Sequence, residues 1–506
     1  MTGGDADVIV VGAGGSGAPL AARLAAGGAR VLLLEAGPAP APLSSRDASR
    51  LAAALPGHPL ALAYPGRLVD GRDHTVVRGR VAGGSTAING GYFRRPRTHD
   101  LEAWAAAAAD ARWSAARTRP LWADIEADRE FGANPGHGAT GAMPVTRGSL
   151  EHPVSAALLS AGTGLGLTRV PDQNGSPDPT PGIGALPTNT RDGERWSTAR
   201  AWLEPAPALL TVRGDCTVVR VVVDARGRAI GVDALIDGRV ETLHADRIVL
   251  SAGALATPQL LVRSGIGPAR MLRAAEIPIV HDAPVGARLY DHPQLDLRMT
   301  VPAAVLDHPV ETPLGVVAHG TSGVADGPSD PPVPGDIEVL SVLRPLGRML
   351  GTDEGDGRLS LLVSALRTDT PGRLRLDVDG PPRLEFRYLS SSRDRARLRA
   401  AVRLAAALLA SEPLRQLGAV PEHPSLTALD DDDLDSWMRA HLSTALHSCG
   451  TTPMGTDPAT SVVNGRGAVH GVAGLHVADL GILPTTPTGG PAASAVLIGH
   501  VIADAL

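Results

Sequence analysis

The stretch DVIVVGAGGSG, Asp7 to Gly17, decides how the first part of this chain folds. Asp7 to Val11 is a short β-branched run, continuous rather than alternating, which is the pattern of a parallel strand buried on both faces. Gly12-Ala13-Gly14-Gly15-Ser16-Gly17 follows, and APLAARLAAGGARVLLLEAG then reads as helix, turn and second strand. The glycine spacing has a physical reason. Gly12 permits the tight turn, Gly14 lets a pyrophosphate approach the backbone, and Gly17 lets helix and strand pack closely. Glu35 ends the second strand, where a carboxylate can accept hydrogen bonds from an adenosine ribose. The acid also argues against a 2'-phosphate, so FAD or NAD is expected in preference to NADP. A Gly-rich turn in some other βαβ unit is the alternative, but the strand before, the helix after and the acid at the right distance favour a dinucleotide site.

Outward from this unit, length and composition set the limits. At 506 residues the chain is too long for one ordinary core, and about two or three domain-sized units are expected. Hydrophobic residues at 43% and charged ones at 20% give the balance of a soluble globular protein. The net charge of −6, without a basic block, excludes nucleic acid and anionic membrane as evident partners. All 47 basic residues are Arg, which with the abundant Ala and Gly reads as codon bias and carries no function. Two cysteines, Cys216 and Cys449, exclude a disulfide framework and suggest a reducing interior. MTGGDADVIVVGAGGSG has no basic n-region and its apolar run breaks at glycine, so no signal peptide is expected, and no apolar run is long enough for a membrane span. No repeat, metal-ligand cluster or CxxC is visible, and no metal is expected.

A second Gly-rich stretch, GRVAGGSTAINGGYFRRP from Gly79 to Pro96, lacks the flanking strand and helix of a second dinucleotide turn. With it, the sequence resembles the glucose-methanol-choline (GMC) oxidoreductases, flavoenzymes whose first signature has this form; Ala82 stands where a larger aliphatic residue is usual. GALATPQLLVRSGIG, Gly253 to Gly267, matches the second signature. HGATGAMPV near His137, VGARLYDHP from Val285 to Pro293, HSCGTTPMG from His447 to Gly455 and GLHVADLGILP from Gly474 to Pro484 follow in family order, so the resemblance spans nearly the whole chain. It implies an α/β, overall α+β, fold: a Rossmann-like FAD-binding domain with a discontinuous substrate domain of antiparallel sheet backed by helices.

Laid on residues, the resemblance implies that Gly12, Gly14, Gly15, Ser16, Gly17 and Glu35 hold the ADP part of FAD. Gly84, Ser85, Asn89 and Gly90 would approach the flavin and pyrophosphate. The backbone of Val218 would meet the adenine, and Asp479 would lie near the pyrophosphate and ribityl chain. Some members attach FAD through a histidine just before the Asn of the first signature; Ile88 stands there and cannot form that bond, so noncovalent FAD is expected.

His447 opens the stretch that resembles the family's active-site motif and is the expected catalytic base. A neutral imidazole can take the hydroxyl proton of an alcohol while hydride leaves its carbon for flavin N5. Of the 16 histidines most read as surface or structural residues, His137 and His292 among them. Cys449 reads as a buried filler. The family's second His or Asn opposite the base falls on Ala492, within about one residue, and Ala offers no donor or acceptor. His500 lies eight residues further along the terminal helix, roughly 12 Å away, and is no substitute. Ser494, Thr488 or a water could take a polar role. GGPAASAVLIGH, Gly489 to His500, reads as a buried helix with Pro491 in its first turn, its start directed at the flavin pyrimidine ring.

The organisation expected is 1–150 as the first part of the FAD-binding domain, 151–190 as a lid or loop, and 191–295 as the second FAD-binding part. Residues 296–440 form the substrate-binding domain, and 441–506 return to the FAD-binding domain with the catalytic His. Alternating segments such as GRLRLDVDG and RLEFRYL precede a helix in RDRARLRAAVRLAAALLAS, and Asp430 to Asp433 read as a solvated helix start. Aromatics at 3% speak against an aromatic cage for a quaternary ammonium such as choline. HSCGTTPMG combined with PTTPTGGPAASAVLIG resembles the mycofactocin-associated subgroup. That implies an alcohol-type substrate in the form of reduced mycofactocin, a respiratory electron acceptor, and a cytoplasmic protein, free or peripheral at the inner membrane face. A dehydrogenase or oxidase of another small alcohol or sugar is the nearer alternative; a hydroxynitrile-lyase-like or noncatalytic flavin-binding protein is the more distant one.

Overall fold

The computed structural model describes residues 6–175, 178–327, 330–352 and 357–506, so Ser176 and Pro177 of the Pro- and Gly-rich stretch lie outside the described residues. Strand β1 (Ala6–Val11), helix α1 (Gly17–Ala26) and strand β2 (Val31–Leu34) form the βαβ unit that the opening stretch predicts. β1 and β2 run parallel, with Val8 opposite Val31 and Val11 opposite Leu34. Ile9, Val10 and Leu33 are completely buried, the outcome that a continuous apolar strand requires.

Strand β3 (Leu210–Arg213) extends this sheet in parallel beyond β2. β4 (Thr217–Val223), β5 (Ala229–Ile236) and β6 (Arg239–Leu250) make an antiparallel meander on the other side. β6 is 12 residues long and changes partners midway: Arg239 to His244 pair with β5, Ala245 to Leu250 with β1. The resulting order is β3-β2-β1-β6-β5-β4, with the short strand Leu475–Val477 also on β6.

The second sheet is antiparallel at its centre, where β7 (Pro293–Thr300), β8 (Leu314–Gly320), β9 (Ile337–Val342) and β10 (Arg358–Ala365) stand in the order β7-β10-β9-β8. Helix α2 (Ser392–Leu409) packs on β9 and β10. β10 shows the logic of the sheet. Leu359, Leu361 and Val363 bury one face with Leu398, Val402 and Ala405 of α2, while Leu362, on the other face, lines the main cavity. The roof of the cavity is therefore a sheet backed by a helix. GRLRLDVDG and RLEFRYL supply the short strands Arg373–Arg375 and Arg383–Glu385, which join the hairpin Ala61–Val69 and Arg72–Gly79 in a separate sheet. Asp430 caps the helix Asp431–His441 by accepting the Asp433 amide, as the acidic run suggested.

The last helix, α3 (Ala492–Ala503), follows Pro491 at its N-cap and is buried along most of its length. It packs against α1. A Cβ on Gly499 would lie 2.5 Å from the Ser16 carbonyl oxygen, so only glycine permits this crossing. α1 and α3 thus meet beside the Gly12–Ser16 loop.

Candidate active site

The loop after β1 is built for close approach. Gly12 sits at φ +99°, and a Cβ there would lie 2.5 Å from the Ser251 carbonyl oxygen. The second Gly-rich stretch comes to meet it: a Cβ on Gly84, at φ +52°, would lie 2.8 Å from Gly14 Cα. Two bare backbones therefore face each other across a floor with no side chains in the way.

This floor belongs to a cavity of about 640 Å³, in the range of a large organic ligand. Of the residues expected to bind the cofactor, Gly12, Gly14, Gly15, Ser16, Glu35, Gly84, Ser85, Asn89, Gly90, Val218 and Asp479 line it, and so does His447. Gly17 is not in the wall; its role is packing, since a Cβ there would lie 2.0 Å from the Gly12 carbonyl oxygen. Ile88 lines the cavity and offers no nucleophile. The start of α3 contributes Gly490, Pro491 and Ala492. The residues present thus fit a long dinucleotide with its diphosphate over the glycine loops, at the start of α1.

The two acids of the set are already engaged. Glu35 Oε2 accepts the Ala13 amide at 2.9 Å and Oε1 the Gly37 amide at 3.0 Å, so the carboxylate also fixes the loop it was expected to serve. Asp479 Oδ2 accepts from the Gly253 amide at 2.9 Å and the Thr257 hydroxyl at 2.6 Å, and Oδ1 from the Gly481 amide at 2.8 Å. Burial raises the pKa of both despite these bonds.

The cavity wall also includes His447. Its Nδ1 is 2.8 Å from Nδ1 of His292, with the rings nearly perpendicular at 88°. Read from sequence as an ordinary structural residue, His292 is in fact the direct partner of the expected base. Beside it, buried Asp291 organises the loop: Oδ1 accepts the amides of His292 at 2.7 Å and His447 at 3.0 Å, and Oδ2 the Ser448 hydroxyl at 2.7 Å. Leu446, just before His447, is held at φ +63°, a strained geometry for a leucine that this network enforces. Burial, then the neighbouring His292 and Arg78, holds the His447 pKa well below the ordinary 6.5. Burial also lowers His292 to about 4. Both rings are neutral near pH 7, and the carbonyls of Pro487 and Leu366 lie beside the His292 ring. Cys449 is buried and its thiol pKa is pushed well up by burial, so it is no reactive group.

Neither Pro491 nor Ala492 brings a polar side chain to the cavity. Ser494 and Thr488 do not replace them. Ser494 is fully buried outside the cavity wall, and the Thr488 hydroxyl donates to Asp100 at 2.9 Å. The polar groups that do reach the chamber were not singled out from sequence. Arg78 stands in the wall near His447, and the roof carries Gln294 and Glu338. Gln294 donates to Ser364 Oγ at 3.2 Å; Glu338 Oε2 accepts from Tyr92 OH at 2.8 Å and lies 3.0 Å from His319 Nε2. Leu314, Leu340, Val342, Leu346, Met349 and Leu362 make the rest of the roof apolar.

A separate buried cluster surrounds His137, where Glu126, Asp128 and His137 bring potential metal-ligand atoms within 4.8 Å of one another. Its chemistry does not suit a metal. Arg147 Nη2 bonds Asp128 Oδ2 at 2.7 Å and Asp172 Oδ1 at 2.8 Å, Arg95 bonds Glu126, and His137 bonds Glu126 at 2.8 Å and Asp172 at 2.9 Å. Three cations thus face three carboxylates. Burial alone would lower the His137 pKa, but its bonds to Asp128, Asp172 and Glu126 outweigh burial and lift it to about 10. Both ring nitrogens then carry protons, and the imidazole has no lone pair for a metal.

Comparison with known proteins agrees with this architecture. The amino-terminal family model of the GMC oxidoreductases matches residues 6–294, and the carboxy-terminal model matches residues 368–499. An uncharacterised GMC-type oxidoreductase of Rhodococcus erythropolis is 34% identical over 458 residues, covering 88% of this chain and 86% of its own. The oxygen-dependent choline dehydrogenase of Pseudomonas putida KT2440 is 32% identical over 531 residues, covering 98% of this chain and 93% of its own. Among solved structures, pyridoxine 4-oxidase from Mesorbium loti superposes with a TM-score of 0.87 at 27% identity, covering 99% and 98% of the two chains. Aspergillus oryzae formate oxidase shares the fold, with a TM-score of 0.88 at 21% identity over 100% and 98% of the chains. The chain belongs to the GMC oxidoreductase family, and FAD is its cofactor.

Proposed function

We propose that this protein oxidises an alcohol, with His447 as the base that removes the hydroxyl proton. The observation that carries the reading is the 2.8 Å contact between His447 Nδ1 and His292 Nδ1 at the wall of the cofactor cavity. Two neutral imidazoles joined through these atoms share one proton. In the arrangement we favour, His292 accepts through Nδ1 and carries its own proton on Nε2, which faces the carbonyls of Pro487 and Leu366 without a hydrogen bond to either. His447 then donates from Nδ1, which leaves a lone pair on Nε2. That nitrogen takes the substrate proton.

The glycine loops, Val218 and the start of α3 would hold noncovalent FAD, which would supply the acceptor for the carbinol hydride. The positive end of α3, with no acid in its first turn, favours negative charge at this side of the cavity. Arg78 favours it too, through a guanidinium near His447. With no second polar side chain at Pro491 or Ala492, orientation of the substrate falls to Gln294, Glu338 and the substrate's own polar groups.

For the substrate we favour reduced mycofactocin, with electrons passing to a respiratory acceptor. The support is the combination HSCGTTPMG and PTTPTGGPAASAVLIG, together with a largely apolar roof in which choline would find no aromatic cage: Tyr64 and Tyr92 are the aromatic residues of the described wall. A cytoplasmic site of action, free or docked at the inner membrane face, suits two buried, unbonded cysteines. No helix among the described residues is long and apolar enough to cross a membrane.

Anaerobic stopped-flow reduction of the holoprotein against simple alcohols, sugars and reduced mycofactocin tests both levels. Rapid bleaching by reduced mycofactocin alone supports the full reading; bleaching by a simple alcohol or sugar keeps the oxidoreductase and removes the subgroup assignment. His447→Ala lowers the reduction rate about 10²- to 10⁴-fold while FAD stays bound. An unchanged rate in that variant removes His447 as base.

A further inference from the structure

Among the described residues, three acids line the main cavity: Glu35, Glu338 and Asp479. Both oxygens of Glu35 and both of Asp479 accept backbone amides, and Asp479 also takes the Thr257 hydroxyl. Glu338 differs. Tyr92 OH donates to its Oε2 at 2.8 Å, and His319 Nε2 lies 3.0 Å from the same atom. Oε1 has no partner among the described residues and is not sealed off by protein.

The sheet decides where this side chain points. In β9, Ile337 and Val339 are buried with α2, while Glu338, Leu340 and Val342 line the cavity, the alternation of a strand with two occupied faces. Across the strands Glu338 pairs with Ser364 of β10, and Ser364 pairs with Gln294 of β7, so the three share the cavity face as one polar row. Leu340, Val342 and Leu362 keep the roof beside the row apolar. The row starts near the base: β7 pairs through Pro293 and Gln294 with Thr444 and Ser443, in the segment that leads to His447. Glu338 stands two strands further along, about 10 Å of sheet at the usual strand spacing.

Charge narrows the ligand. Burial raises the Glu338 pKa, and the Tyr92 hydroxyl, Arg94 and Arg97 counter it. A substrate cation would thus meet a carboxylate that guanidinium groups already balance, and a quaternary ammonium has no N–H for Oε1. A neutral donor suits the site better, because an unused acceptor in a largely apolar wall costs free energy until a donor reaches it.

We propose that Glu338 Oε1 selects the substrate by accepting a hydrogen bond from a neutral donor, a second hydroxyl or an amide N–H, several bonds away from the carbinol that His447 deprotonates. This rests on the alcohol-oxidation reading and deepens it. Tyr92 fixes how the site responds to change. In Glu338→Gln the amide oxygen stays with the Tyr92 hydroxyl, so the amide NH2 takes the place of Oε1 and offers the chamber a donor where it had an acceptor.

The test compares terminal diols of increasing chain length with their monomethyl ethers, which keep the carbinol and lose the second donor. Binding to the holoenzyme is read from perturbation of the flavin absorption band, and reduction from its anaerobic bleaching. At the chain length that fits best, the diol is expected to bind about 10- to 100-fold more tightly than its ether. In Glu338→Gln the ether is expected to bind at least as tightly as the diol. Equal binding of the pair at every length overturns the proposal, as does a diol preference that survives in Glu338→Gln. Tighter binding of the matching amino alcohol than of the diol also overturns it, by showing that the site takes a cation. Should Glu338→Gln fail to fold, Glu338→Ala carries the comparison, with the diol preference lost. Bleaching by no alcohol at all removes the oxidation reading by itself, a result separate from the binding preference.

Discussion

At the scale of single residues, the chemistry of the site depends on which nitrogen of His447 carries its proton. In the proposed mechanism His292 sets this through its Nδ1 contact with His447, and so acts as a positioning residue. His292→Ala is expected to slow flavin reduction about 10- to 100-fold, with kcat falling more than KM rises, because the base loses its tautomer while the substrate contacts remain. His292 is also among the causes holding the His447 pKa down. Removing it moves the acid limb of the kcat pH profile upward, toward 6.5, whereas a merely structural defect would leave the limb in place. In the unaltered enzyme that limb is expected below 6.5, because burial holds the His447 pKa down. The stretch containing His447 was legible because the motif is local. His292 and Asp291 were not, although YDHP stood in a family-like stretch, because their partners lie 155 to 157 residues away. Arg78 gave no signal at all in a chain with 47 arginines.

At the scale of elements, the glycine loop works because two helices close on it. The spacing Gly12 to Gly17 foretold α1, and GGPAASAVLIGH foretold α3; their crossing was not foretold, since nothing in either helix names its partner. Gly499 is the residue on which the crossing depends. Gly499→Val is expected to force α3 off the Ser16 carbonyl, at a cost of about 1–3 kcal/mol. Because the start of α3 walls the cofactor cavity, the same change weakens FAD binding. Thermal melting and titration of the apoprotein with FAD measure the two effects, and a variant that melts lower yet binds FAD as tightly as before would uncouple the helix from the cofactor. The terminal helix also shows where sequence position misleads. Ser494 and Thr488 are close in the chain to the missing second polar group and face away from the cavity, while Gln294 and Glu338, distant in sequence, face into it.

For the whole molecule, alternation and parallel-strand signals were enough to read two sheets, because each strand's burial pattern is written in its own residues. The pairing of GRLRLDVDG and RLEFRYL with the hairpin Ala61–Val69 and Arg72–Gly79 depends on contacts that no local pattern encodes. The buried network around His137 is the clearest whole-fold electrostatic device. Its His137 pKa in the folded protein, about 10, lies above the ordinary 6.5. The stabilisation it gives is therefore full below about 6.5 and declines as pH rises through the folded value. Asp128, lowered to about 2, makes the opposite contribution, present above the ordinary 3.8 and lost as pH falls toward 2. His137→Gln should lower the melting temperature at pH 6 and bring it closer to that of the unaltered protein at pH 10. An equal deficit at both values would show that the imidazole acts through packing and not through charge.

The loop Gly12–Ser16 and the helix Ala492–Ala503 wall the same cavity from opposite ends of the chain. On the ribosome, the first of these emerges long before the second, and β1 must also wait for β6 to complete its sheet. The nascent chain can thus form its first βαβ unit early, while the wall of the FAD cavity is complete only once Ala492–Ala503 has emerged. Cofactor loading is then expected to follow the emergence of that helix, and a cell starved of flavin should accumulate a folded apoprotein rather than a stalled folding intermediate.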